Sequence, residues 1–214
     1  MNVRKYIFAG VAIVVVVGAK VFAEPAAVVA MPTTSPVNVT TNADLARLVS
    51  RIWYFTRLTE KPVLMDPEVA MACAPPQIQL PANHVQLLPK KSAGNAVFQV
   101  YVTADGMTAM TAKVPSASPG SAISFPIGVV ILKQKFTDPE AKSPVLYTGM
   151  IKREKGFNPE CGDWEFFVVN GDASAILARG RIESCMDCHK SYPQSDFVTR
   201  DYPIKPVAMP EKKS

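Results

Sequence analysis

The fold is decided by residues 164–172, which have the sequence WEFFVVNGD. The first six of these residues are aromatic or β-branched except for Glu165, a composition typical of a buried strand. The Asn170-Gly171-Asp172 tripeptide that follows favours a tight turn, because these residue types accept turn backbone conformations readily. Residues 176–182 can then return as a second strand. This stretch therefore predicts an antiparallel hairpin.

Three further strands are predicted before the hairpin. They cover residues 97–102 (VFQVYV), 129–132 (VVIL) and 145–152 (VLYTGMIK), each a β-branched or aromatic run bounded by turn residues. Helical spacing is absent between them, which argues against the alternating strands and helices of a parallel sheet. The sequence thus predicts an α+β fold built mainly on an antiparallel sheet, with a loop at residues 114–124.

An amphipathic helix is predicted on the N-terminal side of the sheet. Asn42 is a candidate N-cap, and the helix is expected to run to about Glu60. Apolar residues recur at steps of three and four along this segment, while its arginines lie off the apolar stripe. The stripe consists of Leu45, Leu48, Val49, Ile52, Phe55 and Leu58. We expect it to pack against the sheet.

Residues 1–23 have the organisation of a secretory signal peptide. Arg4 and Lys5 precede an apolar stretch at residues 7–19, and Val21 and Ala23 provide small residues before a cleavage site. The apolar stretch is shorter than the roughly 20 residues that cross a bilayer. Cleavage after Ala23 is therefore favoured over retention as an N-terminal membrane anchor, and the mature protein is expected in the periplasm.

The remaining chain is predicted to form one domain at residues 42–205, between a flexible lead-in at 24–41 and a disordered tail at 206–214. The chain after Pro203 is rich in proline and lysine and is expected to be poorly ordered. Loss of the leader removes three basic residues, so 23 Lys and Arg become 20 against 18 Asp and Glu, and the net charge falls from +5 to +2. This near balance gives no case for a nucleic-acid partner.

The strongest chemical signal is the sequence Cys185-Met186-Asp187-Cys188-His189. Two thiols three positions apart lie about one helical turn from each other, which suits addition to the two vinyl groups of one haem. The adjacent histidine is then held under the iron, where its imidazole can act as the proximal ligand. We therefore predict one covalently bound haem c on a C-terminal helical segment, with Cys185 and Cys188 as attachment points and His189 as the iron ligand.

Two other interpretations compete for these cysteines. A CxxC pair can be a redox dithiol, but that chemistry is typical of a βαβ context that this chain lacks. It can also be half of a structural zinc site, completed by Cys73, Cys161 or His84, although no second CxxC or HxxxH pair is present. Haem is favoured over both. A disulfide between Cys73 and Cys161 is the simplest use of the remaining cysteines in an exported protein, with two buried free thiols as the alternative.

Four segments of the C-terminal half together carry a family resemblance. They are residues 150–154 (MIKRE), 162–167 (GDWEFF), 178–189 (ARGRIESCMDCH) and 196–202 (DFVTRDY). In this combination the chain resembles the cytochrome P-460 family over roughly residues 97–202. The specific feature is a CxxCH that follows the GDWEFF strand and precedes the DFVTRDY segment.

The resemblance implies an antiparallel sheet that carries a helix, often in a homodimer, with a haem whose sixth coordination position is open or lightly blocked. Family members oxidise hydroxylamine or bind nitric oxide, so a small diatomic or nitrogenous ligand and a redox partner cytochrome are expected. The alternative is a six-coordinate electron-transfer cytochrome in which Met150 or His84 lies opposite His189. His84 is otherwise expected to be a surface or hydrogen-bonded residue.

The oxidases of the family carry a lysine cross-linked to the haem edge, together with a distal acid. Lys113 and Lys133 both compete for the position of that lysine, and a solvated surface role is the simpler interpretation of Lys113. For the distal side, the predicted strand offers Tyr147, Thr148 and Met150 but no carboxylate. An apolar distal wall favours binding of a neutral diatomic over proton-coupled oxidation.

Overall fold

Seven strands form one antiparallel sheet in the computed structural model, which describes residues 39–65, 96–113 and 123–207. The strands are β1 (Thr56–Arg57), β2 (Val63–Leu64), β3 (Val97–Val102), β4 (Val130–Phe136), β5 (Leu146–Lys152), β6 (Trp164–Asn170) and β7 (Ile176–Gly180). Their order across the sheet is β1-β3-β4-β5-β6-β7, and β2 also pairs with β3. The mainly antiparallel sheet predicted from the sequence is confirmed.

Short helices accompany the sheet, so the fold is α+β. They are α1 (Asn42–Ser50), α2 (Met107–Thr111) and α3 (Glu183–His189), with 3-10 turns at Ile52–Tyr54, Ala104–Gly106, Pro159–Cys161 and Pro193–Ser195. No helix within the described ranges is long and apolar enough to cross a membrane. The predicted signal peptide, Cys73, His84 and most of the predicted loop at 114–124 lie outside the described residues.

The sheet buries both of its faces, which explains why β6 is almost continuously apolar. Trp164 and Phe166 belong to the core on one face, which also includes Met186 of α3. Phe167 belongs to the core on the other face, together with Leu45 of α1. Successive side chains of a strand point to opposite faces. A strand covered on both sides therefore has no polar alternation to show in its sequence.

Helix α1 begins and ends differently from the prediction. Its N-cap is Thr41 rather than Asn42, because the Thr41 hydroxyl accepts the Asp44 amide at 3.1 Å and the Asp44 carboxylate accepts the Thr41 amide at 3.0 Å. This reciprocal capping box satisfies two amides that a helix start would otherwise leave unpaired. The helix ends at Ser50 and not near Glu60, because the chain from Thr56 onward pairs with β3.

Glu165, the charged residue of β6, is paired with two arginines on the α1 side of the sheet. Its carboxylate accepts hydrogen bonds from Arg153 and from Arg179 Nε, the latter at 2.9 Å. Both guanidinium groups also donate to the carbonyl of Val39, at 2.6 and 2.8 Å. A buried carboxylate requires such partners. The network therefore fixes the start of the domain against β6.

The sheet also continues where the sequence predicts a poorly ordered chain. The Lys205 amide donates to Leu58 O at 2.7 Å, and the Val207 amide donates to Arg57 O at 2.8 Å. Order after Pro203 thus extends at least through Val207. The Met65 amide also donates to Ala96 O at 2.8 Å, so these two residues are neighbours in space.

A glycine in β5 is required by the packing of β6. Gly149 pairs with Phe167, and a Cβ atom on Gly149 would clash with the Phe167 ring first and also with the Ile131 carbonyl oxygen. We expect Gly149→Ala to lower the free energy of unfolding by about 1–3 kcal/mol, measured by urea denaturation, because the core must shift to admit the methyl group.

The double variant Gly149→Ala, Phe167→Leu tests the cause. Removal of the ring should make the alanine less costly than it is in the parent chain, so the two changes should not be additive. Additive losses, or an unchanged denaturation midpoint in Gly149→Ala, would contradict this account.

Candidate functional site

The three residues of the CxxCH motif that were predicted to bind haem lie together on helix α3. Cys185, Cys188 and His189 are separated by three and four positions, which places them on one side of a helix. Met186, between the two cysteines, is buried in the core and so anchors the helix to the sheet. All three motif residues line the same cavity.

This cavity lies between α3 and the face of the sheet that carries Phe98, Ile131 and Phe166, and its volume is about 360 Å³. Most of its described wall is apolar. The apolar side chains are Val63, Leu64, Met65, Phe98, Ile131, Met150 and Phe166. Its size falls in the range of small-molecule and cofactor sites, which are typically apolar with a few polar groups.

His189 is held by a backbone carbonyl. Its Nδ1 lies 2.6 Å from the Phe197 carbonyl oxygen, and its ring centroid lies 5.1 Å from that of Phe166. A carbonyl can only accept, so Nδ1 carries the proton and Nε2 keeps its lone pair. Burial, with a smaller contribution from the positive charge of Lys133, lowers the pKa of His189 to about 4. The imidazole is therefore neutral at pH 7 and able to act as a metal ligand.

Lys113 and Lys133, the two candidates for the cross-linked lysine, occupy different environments. Lys113 is exposed and does not belong to the cavity wall, whereas Lys133 lines the cavity. The Lys133 ammonium lies 5.1 Å from the ring centroid of Phe98 and 5.6 Å from that of Tyr202, both suitable for cation–π contact. The structure thus brings Lys133, and not Lys113, to the side of His189.

The residues of β5 that were predicted for the distal wall divide between the two faces of the sheet. Thr148 and Met150 line the cavity. Tyr147 does not, because it belongs to the core on the α1 side, where its hydroxyl accepts a hydrogen bond from Gln134 Nε2 at 3.3 Å. The prediction that Tyr147 faces the site is therefore wrong. Alternation along the strand is the physical reason.

The chain that follows α3 contributes cavity residues that were not predicted from the sequence. Tyr192, Thr199, Asp201 and Tyr202 line the cavity, and the Tyr192 hydroxyl donates to Asp201 Oδ2 at 2.6 Å. This hydrogen bond raises the pKa of the Tyr192 phenol. A carboxylate is thus present, although β5 provides none. Asp201 lies in the DFVTRDY segment, which was therefore the only signal in the sequence that could have indicated this carboxylate.

Cys161 lies apart from this cavity. It is completely buried in the core, and burial raises the pKa of its thiol to about 11. Among residues 39–65, 96–113 and 123–207, no three His, Cys, Asp or Glu side chains are grouped as metal ligands. The predicted disulfide between Cys161 and Cys73 stays a prediction, because Cys73 lies outside the described residues.

Comparison with known proteins adds no further assignment. No family model matches the sequence, and no curated protein is similar to it at a significant level. The function is therefore inferred from the geometry of the cavity and from the motif segments.

The environment of His189 predicts an unusual titration of its imidazole. In the protein without any bound group, the His189 ring should titrate near pH 4, because burial disfavours the imidazolium. The folded pKa is below the unfolded value of about 6.5. The stability contributed by neutral His189 is therefore complete above about pH 6.5 and is lost as the pH falls toward 4.

An NMR titration of the two histidine ring signals measures this directly. His84 is the other histidine of the chain and serves as an internal comparison. A midpoint near 6.5 for the His189 signal, assigned by its loss in His189→Gln, would contradict the buried neutral state.

Proposed function

We propose that this protein is an exported mono-haem c-type cytochrome of the P-460-like type, which binds or oxidises hydroxylamine, nitric oxide or similar small nitrogen compounds. The observation that carries the proposal is the convergence of Cys185, Cys188 and a neutral His189 on one apolar cavity. Two thiols and an imidazole at this spacing suit covalent attachment and axial ligation of one haem.

The cavity wall suits an apolar macrocycle. Phe98, Ile131 and Phe166 are buried apolar side chains on strands β3, β4 and β6, and they belong to the core on the same face of the sheet. Leu64 lines the same cavity but is 63% exposed. An exposed large apolar residue at a cavity rim is a surface that a bound apolar group can cover. A haem held here would supply an iron centre for one-electron chemistry and for coordination of a small ligand.

The remaining residues of the wall can act on such a ligand. Lys133 provides a positive charge, and the Tyr192–Asp201 pair provides a hydrogen-bonded carboxylate in the wall of the same cavity. Thr148 offers a hydroxyl from the sheet. These polar groups suit hydrogen bonding to a small polar nitrogen compound, while the apolar majority of the wall excludes water. Electrons released in an oxidation would pass to a redox partner cytochrome.

A six-coordinate electron-transfer cytochrome is the second candidate, and one observation favours it. Met150 lines the cavity, and a thioether is a common axial ligand of haem c. Against this, Met150 is 3% exposed and pairs directly with Ile131 and Phe166, so it already has a role in the core. The open-site function is therefore preferred.

Covalent haem attachment should depend on two of the described cysteines. After periplasmic maturation, the intact mass of the wild type should include one haem, and the double variant Cys185→Ala, Cys188→Ala should lose it. The matched control is Cys161→Ala, which removes a thiol outside the cavity and should keep full haem content. A haem-loaded double variant, judged by mass after denaturation, would refute the proposal.

An absorption spectrum should separate the two candidate functions. The open site predicts a high-spin spectrum that shifts when nitric oxide or carbon monoxide is added, both in the wild type and in Met150→Leu. Leucine conserves the volume of methionine and removes the thioether. A low-spin wild type that ignores these ligands and becomes high-spin in Met150→Leu would instead establish the electron-transfer function.

A further inference from the structure

We propose that Asp196 is a positioning residue for the axial ligand: through the backbone carbonyl of Phe197 it sets the electron-donating strength of His189. The inference rests on the proposed haem function and assigns a role that covalent attachment does not require. Asp196 is itself absent from the described cavity wall. Asp196 acts by fixing the backbone of residues 196 and 197. Its role is therefore not evident from the side chains that line the cavity.

The carbonyl that holds His189 belongs to an unusual backbone turn. Asp196 and Phe197 have φ angles of 54° and 63°, so two consecutive non-glycine residues adopt the left-handed conformation. Residues with side chains rarely adopt this conformation, and a phenylalanine does so less readily than an aspartate. Such a turn persists only when its surroundings determine it. Its result is a Phe197 carbonyl directed at His189 Nδ1, at 2.6 Å.

Three separate parts of the chain hold this turn through Asp196. The Lys152 ammonium at the end of β5 donates to both carboxylate oxygens, at 2.7 and 2.6 Å. The Phe125 amide donates to Oδ2 at 2.8 Å. The Trp164 indole Nε1 donates to the Asp196 carbonyl at 2.7 Å. Every acceptor group of Asp196 is therefore engaged, and the peptide that follows cannot rotate without breaking these bonds.

The ion pair at the centre of this arrangement is almost dry. The Lys152 and Asp196 side chains are 11% and 10% exposed. The same ammonium donates to the Gly162 carbonyl at 2.7 Å and lies 5.1 Å from the ring centroid of Trp164. Hydrogen bonds of charged groups are stronger than those of neutral groups, and low exposure strengthens them further. Hydrogen bonds of this strength can hold the backbone of residues 196 and 197 in its unfavourable conformation.

The chemical consequence follows from the donor role of Nδ1. A metal-bound histidine that donates its other N–H to a carbonyl becomes a more basic ligand, and its tautomer and ring orientation are fixed. A more basic axial ligand favours ferric over ferrous iron and so lowers the reduction potential. If the turn relaxes, the carbonyl moves away, the hydrogen bond weakens and the potential rises.

Asp196→Asn is the decisive variant. Asparagine accepts the left-handed conformation, so the backbone preference is kept while the charge that binds Lys152 is lost. In the matured haem protein, we expect the ferric-to-ferrous equilibrium to shift about tenfold toward ferrous iron, which is about 59 mV for a one-electron couple. The Fe–His stretching frequency of the ferrous form, measured by resonance Raman spectroscopy, should fall in parallel.

Trp164→Phe provides an independent test. It removes the indole N–H that binds the Asp196 carbonyl and keeps an aromatic ring in the core. The potential and the stretching frequency should move in the same directions as in Asp196→Asn, by a smaller amount. This variant also gives the answer if Asp196→Asn fails to mature.

Glu165→Gln is the matched control, because Glu165 is an equally buried carboxylate paired with basic residues on the opposite face of the sheet. It should lower stability and leave the potential and the stretching frequency unchanged. Equal shifts in Glu165→Gln, or no shift in either turn variant, would overturn the role of Asp196. A wild type that matures without covalent haem would instead refute the proposed function itself.

Discussion

Strand β6 is buried on both of its faces, and this burial fixes the register on which the site depends. Trp164 and Phe166 must lie on the α3 side, while Glu165 and Phe167 must lie on the α1 side. A slip by one residue would exchange the two sets. It would bury a carboxylate beside the apolar cavity, and it would also remove the indole that holds the turn after α3. The register of one strand thus controls both the wall of the cavity and the support of its histidine.

Much of this organisation could be predicted from the sequence, where the signal was local. Residues 97–102 form β3 at the predicted bounds, and the NGD turn joins β6 to β7 as expected. The end of α1 could not be predicted, because the apolar spacing continues through Phe55 and Leu58 although pairing with β3 has already replaced the helix. Periodicity shows which residues are buried, but tertiary pairing decides which element buries them.

The residues of the candidate site were even harder to predict from the sequence than the fold. The CxxCH motif identifies one wall, since its three residues are close in sequence and share a helix face. Other groups of the site come from elsewhere in the chain: Lys133 from β4, and Asp201 and the Phe197 carbonyl from the segment after α3. Only the register of the sheet and the turn at residues 196 and 197 bring them close to the motif. No local sequence pattern predicts that Asp196 and Phe197 both adopt the left-handed backbone conformation. When distant segments form a site, a single sequence reveals only those site residues that are close together in the chain.

The backbone hydrogen bond between Met65 and Ala96 has a consequence for how the protein tolerates insertions. Because this hydrogen bond holds the two positions side by side, a change of chain length between residues 65 and 96 need not alter the register of β2 and β3. Insertions of this kind have a small entropic cost that grows only slowly with length. Val63, Leu64 and Met65 line the cavity directly before this point. A change of length should therefore be tolerated best next to the part of the cavity wall that Val63, Leu64 and Met65 form.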